Sequence, residues 1–521
     1  MDTTLKHQIG QMLIAGFPSQ EVDCQARRLA EEWQVGNFIL FARNMQTAGQ
    51  TARLCAGLSA LAFEKTGLSP FIAADQEGGL VCRITEGAAL FPGAMALAAG
   101  SGPDRARQVG ENCGRMLRAM GVNVNFAPVL DVNIEPLNPV IGIRSFGDDP
   151  RAVARMGCAV MEGLTAGGVL ATVKHYPGHG NVRTDSHLDL PVNDTDPALL
   201  EDTEFLPFRE AFRRGAPAVM SCHIRFPKLD PELPATLSPA IITGLLREKQ
   251  GFRGLVCTDC MEMDAIQKNW GTAEGAVLAV LAGCDLLCIS HHMEAVAQAA
   301  EALYRAVETG RIPRERIRQS YDRIVAAKKR LGLDIPQHIS EERALAAVED
   351  PGMLALHRQV SRDSVTLVRD RGGLAALRKA KAPVFLSPVT RASTGVEDRE
   401  QDGLSFARIA AGSLGGTAVE ISRDPGPRER ADIVRRAAEA DAVVLALQNA
   451  RARPGQAALL QELQAPGRPL VAVLLGGPYD AALAAEADAV VAAYEYTALS
   501  AGSVADALKT GVFRGRLPVK L

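Results

Sequence analysis

The chain has 521 residues, 47% of them hydrophobic and 22% charged, with 57 Lys and Arg against 60 Asp and Glu. That balance suits a soluble globular protein and excludes a wholly disordered chain, a collagen or a coiled-coil rod. A net charge of −3 and 5% aromatics leave no basic excess to neutralise a phosphate backbone and few rings for base stacking, so nucleic acid is not an expected partner.

The opening segment MDTTLKHQIGQMLIAGF does not read as a secretory leader: His7 and Gln8 interrupt its apolar run, and it has no clear small-residue cleavage site. No stretch of 18 or more apolar residues suggests a membrane span. The ten cysteines all precede residue 289, most of them inside apolar runs. Free thiols packed as small hydrophobes in a cytoplasmic chain are therefore expected rather than disulfides. Cys257 and Cys260 have C-x-x-C spacing, with Cys284 and Cys288 following. Because Cys257 and Cys288 read as strand residues, four thiolates are not expected to converge, and neither metal nor cofactor is expected.

Short β-type runs alternate with helix-period segments over the first 290 residues. Strands are expected at 12–16, 37–41, 70–74, 122–128, 170–174, 216–221, 255–258 and 285–289, with helices such as 104–120, 151–166 and 199–214 between them. Eight such repeats fit a (β/α)8 barrel better than an open doubly wound sheet. Helices at 293–309 and 314–330 follow; the second, RERIRQSYDRIVAAKKR, reads as a solvated amphipathic closing helix. GLDIPQHIS at 332–340 reads as a linker, and a single helix over 341–362 as the connection onward. From 363 the alternation resumes, with strand-like runs at 364–368, 384–386, 418–421, 443–447, 470–475 and 490–493. The expected organisation is a barrel over 1–335, a linker and connecting helix over 336–362, and a smaller α/β sandwich with a mostly parallel sheet over 363–521. The later segment carries only scattered polar residues near strand ends, such as Asp480 and Glu495, and Gly476-Gly477-Pro478 lacks the lysine of a phosphate loop.

Polar residues gather just past the carboxyl ends of the barrel strands: Asp75-Gln76-Glu77-Gly78-Gly79 after the third, Asp131 after the fourth, Lys174-His175 at the fifth, His223 after the sixth and Asp259 after the seventh. In a barrel these ends converge on one mouth. The densest segment, KHYPGHGNVRTDSHLDL at 174–190, holds His175, His179 and His187 in a turn-rich loop. Within it Asp185 precedes His187 by two residues, a spacing that lets a carboxylate fix an imidazole for acid/base work. Taken alone, the pair is more simply a structural hydrogen bond in a loop. Asp259, at the end of a buried strand, is placed to act as a covalent nucleophile or to form a structural ion pair with Lys174 or Arg144.

Six segments carry a resemblance over roughly the first 330 residues: DQEGGLVCR (75–83), NFAPVLDVN (125–133), NPVIGIRSFGDDP (138–150), KHYPGHGNVRTDSHLDLP (174–191), PATLS (234–238) and GFRGLVCTDCMEM (251–263). In their order and detail they resemble glycoside hydrolase family 3, in its β-N-acetylglucosaminidase branch. GRLPVKL at 515–521 is similar to the end of that family's second domain.

The resemblance implies Asp259 as nucleophile, His187 as acid/base with Asp185 as its partner, and Asp75, Arg83, Arg144, Lys174 and His175 as groups that bind the sugar. It implies a retaining exo-β-N-acetylglucosaminidase acting on a small carbohydrate, with muropeptides of peptidoglycan recycling or amino-sugar oligosaccharides as substrates. A monomer or homodimer without a membrane partner is expected. A β-N-acetylglucosaminide phosphorylase, a β-glucosidase of the same family and a catalytically silent sugar-binding protein are the alternatives. Two positions depart from the family pattern: Leu80 stands where an Arg is common, and Asn181 where an Asp is common.

Overall fold

The computed structural model describes residues 2–84, 90–185, 189–389, 404–464 and 467–521. Eight short strands, β1 (Leu13–Ala15), β2 (Asn37–Ile39), β3 (Phe71–Ala74), β4 (Val124–Asn125), β5 (Leu170–Tyr176), β6 (Ala218–Ser221), β7 (Leu255–Thr258) and β8 (Leu287–Ile289), form one parallel sheet in the order 7-6-5-4-3-2-1-8. A parallel bridge between Cys257 and Leu286 brings its two ends together. The result is a nearly closed barrel with helices outside. Every residue of these eight strands is buried, which is why they read as continuous apolar runs rather than alternating ones.

All eight expected strands are present. The fourth is the shortest because asparagine side chains take over ladder bonds there. Asn123 Oδ1 accepts from Ile72 N at 2.9 Å and Asn125 Oδ1 from Gln76 N at 3.0 Å. Proline-led helix starts set the outer ring: Asp149 caps the helix Pro150–Ala166 by accepting from Arg151 N and Ala152 N. That helix packs tightly on Pro103–Ala119, where a Cβ on Gly110 would lie 2.5 Å from Val160 O and one on Gly163 2.1 Å from Arg107 O. Glycine is required at both points by the close approach.

Three helical expectations are corrected. The segment 199–214 divides into Pro197–Asp202 and Phe205–Arg213, broken where buried Glu204 turns inward to accept from Asn193 Nδ2 at 3.2 Å. The single helix expected over 341–362 is two, Glu341–Val348 and Pro351–Ser364, because Pro351 cannot continue a helix and Asp350 caps a new one through Met353 N at 2.6 Å. The closing helix Arg314–Arg330 is less solvated than its composition suggests: Ile317, Ile324 and Lys328 are buried, and Arg316 and Arg323 pair with buried Asp285.

The second sheet has six strands, β9 (Thr366–Asp370), β10 (Pro383–Pro388), β11 (Thr417–Ile421), β12 (Ala442–Leu447), β13 (Leu470–Leu474) and β14 (Ala489–Ala492), in the order 11-10-12-13-14-9. All pairings are parallel except β14 with β9. Helices cover both faces, giving two separate apolar cores. The helix Pro351–Ser364 joins the two units: Val360 lies in the barrel's core, and Ser361 Oγ meets Ser503 Oγ at 2.8 Å. No helix among the described residues is long and apolar enough to cross a membrane.

Candidate active site

A cavity of about 140 Å³ opens at the carboxyl ends of the barrel strands. Six of the eight residues singled out in the sequence line it: Asp75, Arg83, Arg144, Lys174, His175 and Asp259. Asp185 is not among the lining residues, and His187 lies outside the described residues.

One wall is a charge network built from β3, β4 and β5. Lys174, at the end of β5, donates to Asp75 Oδ1 at 2.7 Å and contacts Glu77 Oε1 at 2.6 Å. Arg83 Nη2 donates to the other Asp75 oxygen at 3.0 Å. Arg144 grips Glu77 with two bonds, Nε to Oε2 at 2.9 Å and Nη2 to Oε1 at 2.8 Å, the planar fork that suits a carboxylate. Burial disfavours the charged forms of Asp75 and Glu77, but the adjoining cations outweigh it and hold both below the usual carboxylate range. Lys174 and Arg144, considered from sequence as ion-pair partners of Asp259, pair instead with Asp75 and Glu77. The reason is topological: Lys174 ends β5 and Arg144 follows β4, two and three strands from β7 where Asp259 sits, and both turn toward the carboxylates of the loop after β3.

Below this wall Asp131 is fully buried. It accepts from His175 Nδ1 at 2.6 Å, from His175 N at 3.2 Å and from His179 N at 2.7 Å. Burial would raise its pKa; the histidines and these hydrogen bonds lower it instead. His179 lines the cavity edge-on to His175, with ring centroids 5.7 Å apart. Burial, and then the neighbouring His175, bring its pKa down to about 4, so it is a neutral ring at ordinary pH.

Asp259 projects from the end of β7 on the opposite side. Its backbone N–H bonds to Ser221 O at 3.2 Å, and its Oδ1 accepts from Cys260 N at 2.7 Å. His223 does not line the cavity; it braces this turn from behind, its Nε2 3.0 Å from Cys260 O and its Nδ1 2.9 Å from Thr236 Oγ1. Glu262 accepts from Ser290 N and His291 N, each at 2.7 Å, and so fastens the turn to the loop after β8. Through that anchor His291 and Ser290 reach the cavity wall.

Glu77, Asp131, Glu262 and His291 are site residues that sequence reasoning did not select. The first two were visible as polar residues beyond strand ends. Glu262, three residues past Asp259, gave no separate signal. All ten cysteines are free; eight are buried, Cys24 is exposed, and Cys260, at the cavity edge, is partly exposed. Among the described residues no group of three or more His, Cys, Asp or Glu is placed to hold a metal ion. The cavity thus offers one carboxylate facing a dense array of charged hydrogen-bonding groups, an arrangement suited to a polyhydroxylated neutral ligand.

Residues 4–327 match the glycosyl hydrolase family 3 N-terminal domain. Beta-hexosaminidase A of Pseudoalteromonas piscicida is 31% identical, across 95% of this chain and 91% of its own. A beta-hexosaminidase of Neisseria meningitidis serogroup B is 36% identical across 54% of this chain and 80% of its own. A solved glycoside hydrolase family 3 beta-N-acetylglucosaminidase from Paenibacillus sp. is 37% identical, covers 99% of each chain and superposes with a TM-score of 0.93. By its sequence, its barrel and sandwich and the cavity at the barrel mouth, the chain belongs to glycosyl hydrolase family 3 and is a glycoside hydrolase.

Proposed function

We propose that the chain is a retaining exo-β-N-acetylglucosaminidase that removes terminal β-linked N-acetylglucosamine from amino-sugar oligosaccharides, muropeptide fragments in the cytoplasm among them. The names of its relatives support the sugar. The observation that carries the mechanism is the opposition of Asp259 on β7 to the Asp75–Lys174–Glu77–Arg144 network on β3 to β5. In this reading the network, with Arg83 and His175, grips the hydroxyls of the terminal sugar and presents its anomeric carbon to Asp259.

The chemistry then takes two displacements. His187, protonated and oriented by Asp185, gives its proton to the glycosidic oxygen. Asp259 attacks the anomeric carbon, the bond to the leaving alcohol breaks, and a glycosyl ester forms. His187, now neutral, takes a proton from water, which attacks the same carbon and releases Asp259 as a carboxylate. Two inversions give net retention.

The test is an aryl β-N-acetylglucosaminide compared with the matching β-glucoside, with the released anomer followed by NMR. The proposal expects a strong preference for the acetamido sugar and a β-configured first product. Preference for the glucoside, or an α-configured first product, overturns it. Release of a sugar 1-phosphate in phosphate buffer would mark a phosphorylase instead.

A further inference from the structure

The C-terminal sandwich reaches into the loop that follows β3. The contact comes from Tyr494 and Glu495, just past β14. Tyr494 has a left-handed backbone, φ 65°, a region that bulky residues rarely occupy unless their surroundings hold them there. Its ring is buried among Met95, Ala96 and Tyr479, and its hydroxyl donates to Thr366 Oγ1 at 2.8 Å. This reversal turns Glu495 toward the barrel, where Oε2 accepts the Gly93 N–H at 3.1 Å. A Cβ on Gly79 would lie 2.8 Å from that same oxygen and 3.0 Å from Gly93 Cα. The carboxyl therefore occupies the space that two facing glycines leave. Next to Gly79, Leu80 packs on the sandwich core that contains Phe385, Val491 and Tyr496.

The loop held in this way carries the charge network. Glu77 N and Gly78 N both bond to Val81 O, at 3.0 and 3.2 Å, and Gly79 N bonds to Phe91 O at 2.7 Å. These bonds make the segment a tight turn, so displacement at Gly79 passes to Glu77 two residues earlier. Glu495 also shares a small void of about 30 Å³ with Glu77 and Arg144. Glu495 is fully buried, and its polar partners, the Gly93 N–H and the Thr497 hydroxyl, are neutral. For packing alone an apolar side chain would serve better, because a buried carboxyl without a counter-cation carries a desolvation cost that hydrogen bonds from Gly93 and Thr497 only partly offset.

We infer that Glu495 is a positioning residue of the active site: with Leu80 it sets the turn that carries Asp75 and Glu77, so the sandwich completes the sugar-binding wall. This rests on reading the cavity as the site of the terminal sugar. A wall that binds the sugar alike in the ground and transition states acts on KM, so on this inference misplacing it raises KM more than it lowers kcat.

The test uses the full-length chain and an aryl β-N-acetylglucosaminide. Glu495→Ala is expected to raise KM about 10-fold or more with kcat changed less than about 3-fold. Glu495→Gln, whose amide oxygen still accepts from Gly93 N–H, is expected to stay within about 2-fold of the parent. Should Glu495→Ala fail to fold, Glu495→Asp, one methylene shorter, reads the same split. A folded Ala or Asp variant with unchanged KM and only a lower Tm makes Glu495 a structural latch and overturns the inference. A parent chain inactive on the aryl glycoside overturns the proposed function as well, so the two failures are distinguishable.

Discussion

Asp131 and His175 are joined at two points: the imidazole Nδ1 meets Oδ2 at 2.6 Å, and the backbone N–H reaches Oδ1 at 3.2 Å. The carboxylate, held ionised, assigns the ring proton to Nδ1. Nε2 is then an acceptor, and the Arg144 guanidinium, a donor only, stands 3.4 Å from it. Asp131→Asn keeps the shape but puts an amide donor opposite Nδ1, so the ring must change tautomer or turn away. Loss of one charge-assisted hydrogen bond costs about 1.5–3 kcal/mol, or roughly 10- to 100-fold. The expected outcome is a fall of that size in kcat/KM with the fold retained, measured by steady-state kinetics alongside circular dichroism.

Glu77 neutralises two cations in a buried wall. Glu77→Gln leaves Arg144 one side-chain oxygen in place of two, beside the Val140 carbonyl, and leaves Lys174 with Asp75 as its carboxylate partner. Removing one partner of a buried ion pair costs about 3–5 kcal/mol. The variant is expected to show a lower denaturant midpoint and a raised KM, whereas conversion of an exposed pair such as Arg318–Glu315 is expected to change neither measurably.

The barrel strands, and with them the cluster at the mouth, were legible in the sequence because a parallel strand buried on both faces leaves a continuous apolar run ending in a polar residue. The second sheet was legible for the same reason, as at β12 and β13. Pairing partners were not. Lys174 and Arg144 looked available to Asp259, and only the closure of the barrel assigns them to Asp75 and Glu77. The break at Pro351 was legible in principle through Asp350-Pro351, but the apolar periodicity on either side runs across it. Glu495 was visible only as a polar residue after a strand, since its contacts lie some 400 residues earlier in the chain.

The buried carboxyls act in opposite directions with pH. Burial raises Glu495 to about 7, against the weaker pull of the Gly93 N–H and the Thr497 hydroxyl; the Cys82 thiol, Glu77 and Arg144 are its other polar or charged neighbours. A raised carboxyl stabilises the fold fully below its unfolded value, and that contribution is lost as pH rises through 7. Asp75, Glu77 and Asp131 are lowered, so their contribution is present at neutral pH and is lost only as pH falls below the ordinary carboxylate range. Glu495→Gln is therefore expected to be more stable than the parent at pH 8, by an amount on the order of 3 kcal/mol that shrinks toward zero near pH 4.5. Urea midpoints across that range check the sign.

Thiol chemistry offers an independent check on the cavity. Cys24 is exposed, whereas burial pushes Cys260 up to about 12 and keeps it protonated. A disulfide reagent is expected to modify one thiol quickly and Cys260 slowly, the other eight reacting after unfolding. N-acetylglucosamine in the buffer is expected to protect Cys260 and leave Cys24 unaffected, as peptide mapping would show.

In the proposed mechanism Asp259 forms a covalent bond to the sugar. A fluorinated N-acetylglucosaminyl substrate that reacts quickly but hydrolyses slowly should accumulate on the enzyme, and mass spectrometry of the digest locates it. One labelled peptide is expected, with the sugar on Asp259, and no label in Asp259→Asn. Label on any other residue, or rapid turnover with inversion and no label at all, contradicts it.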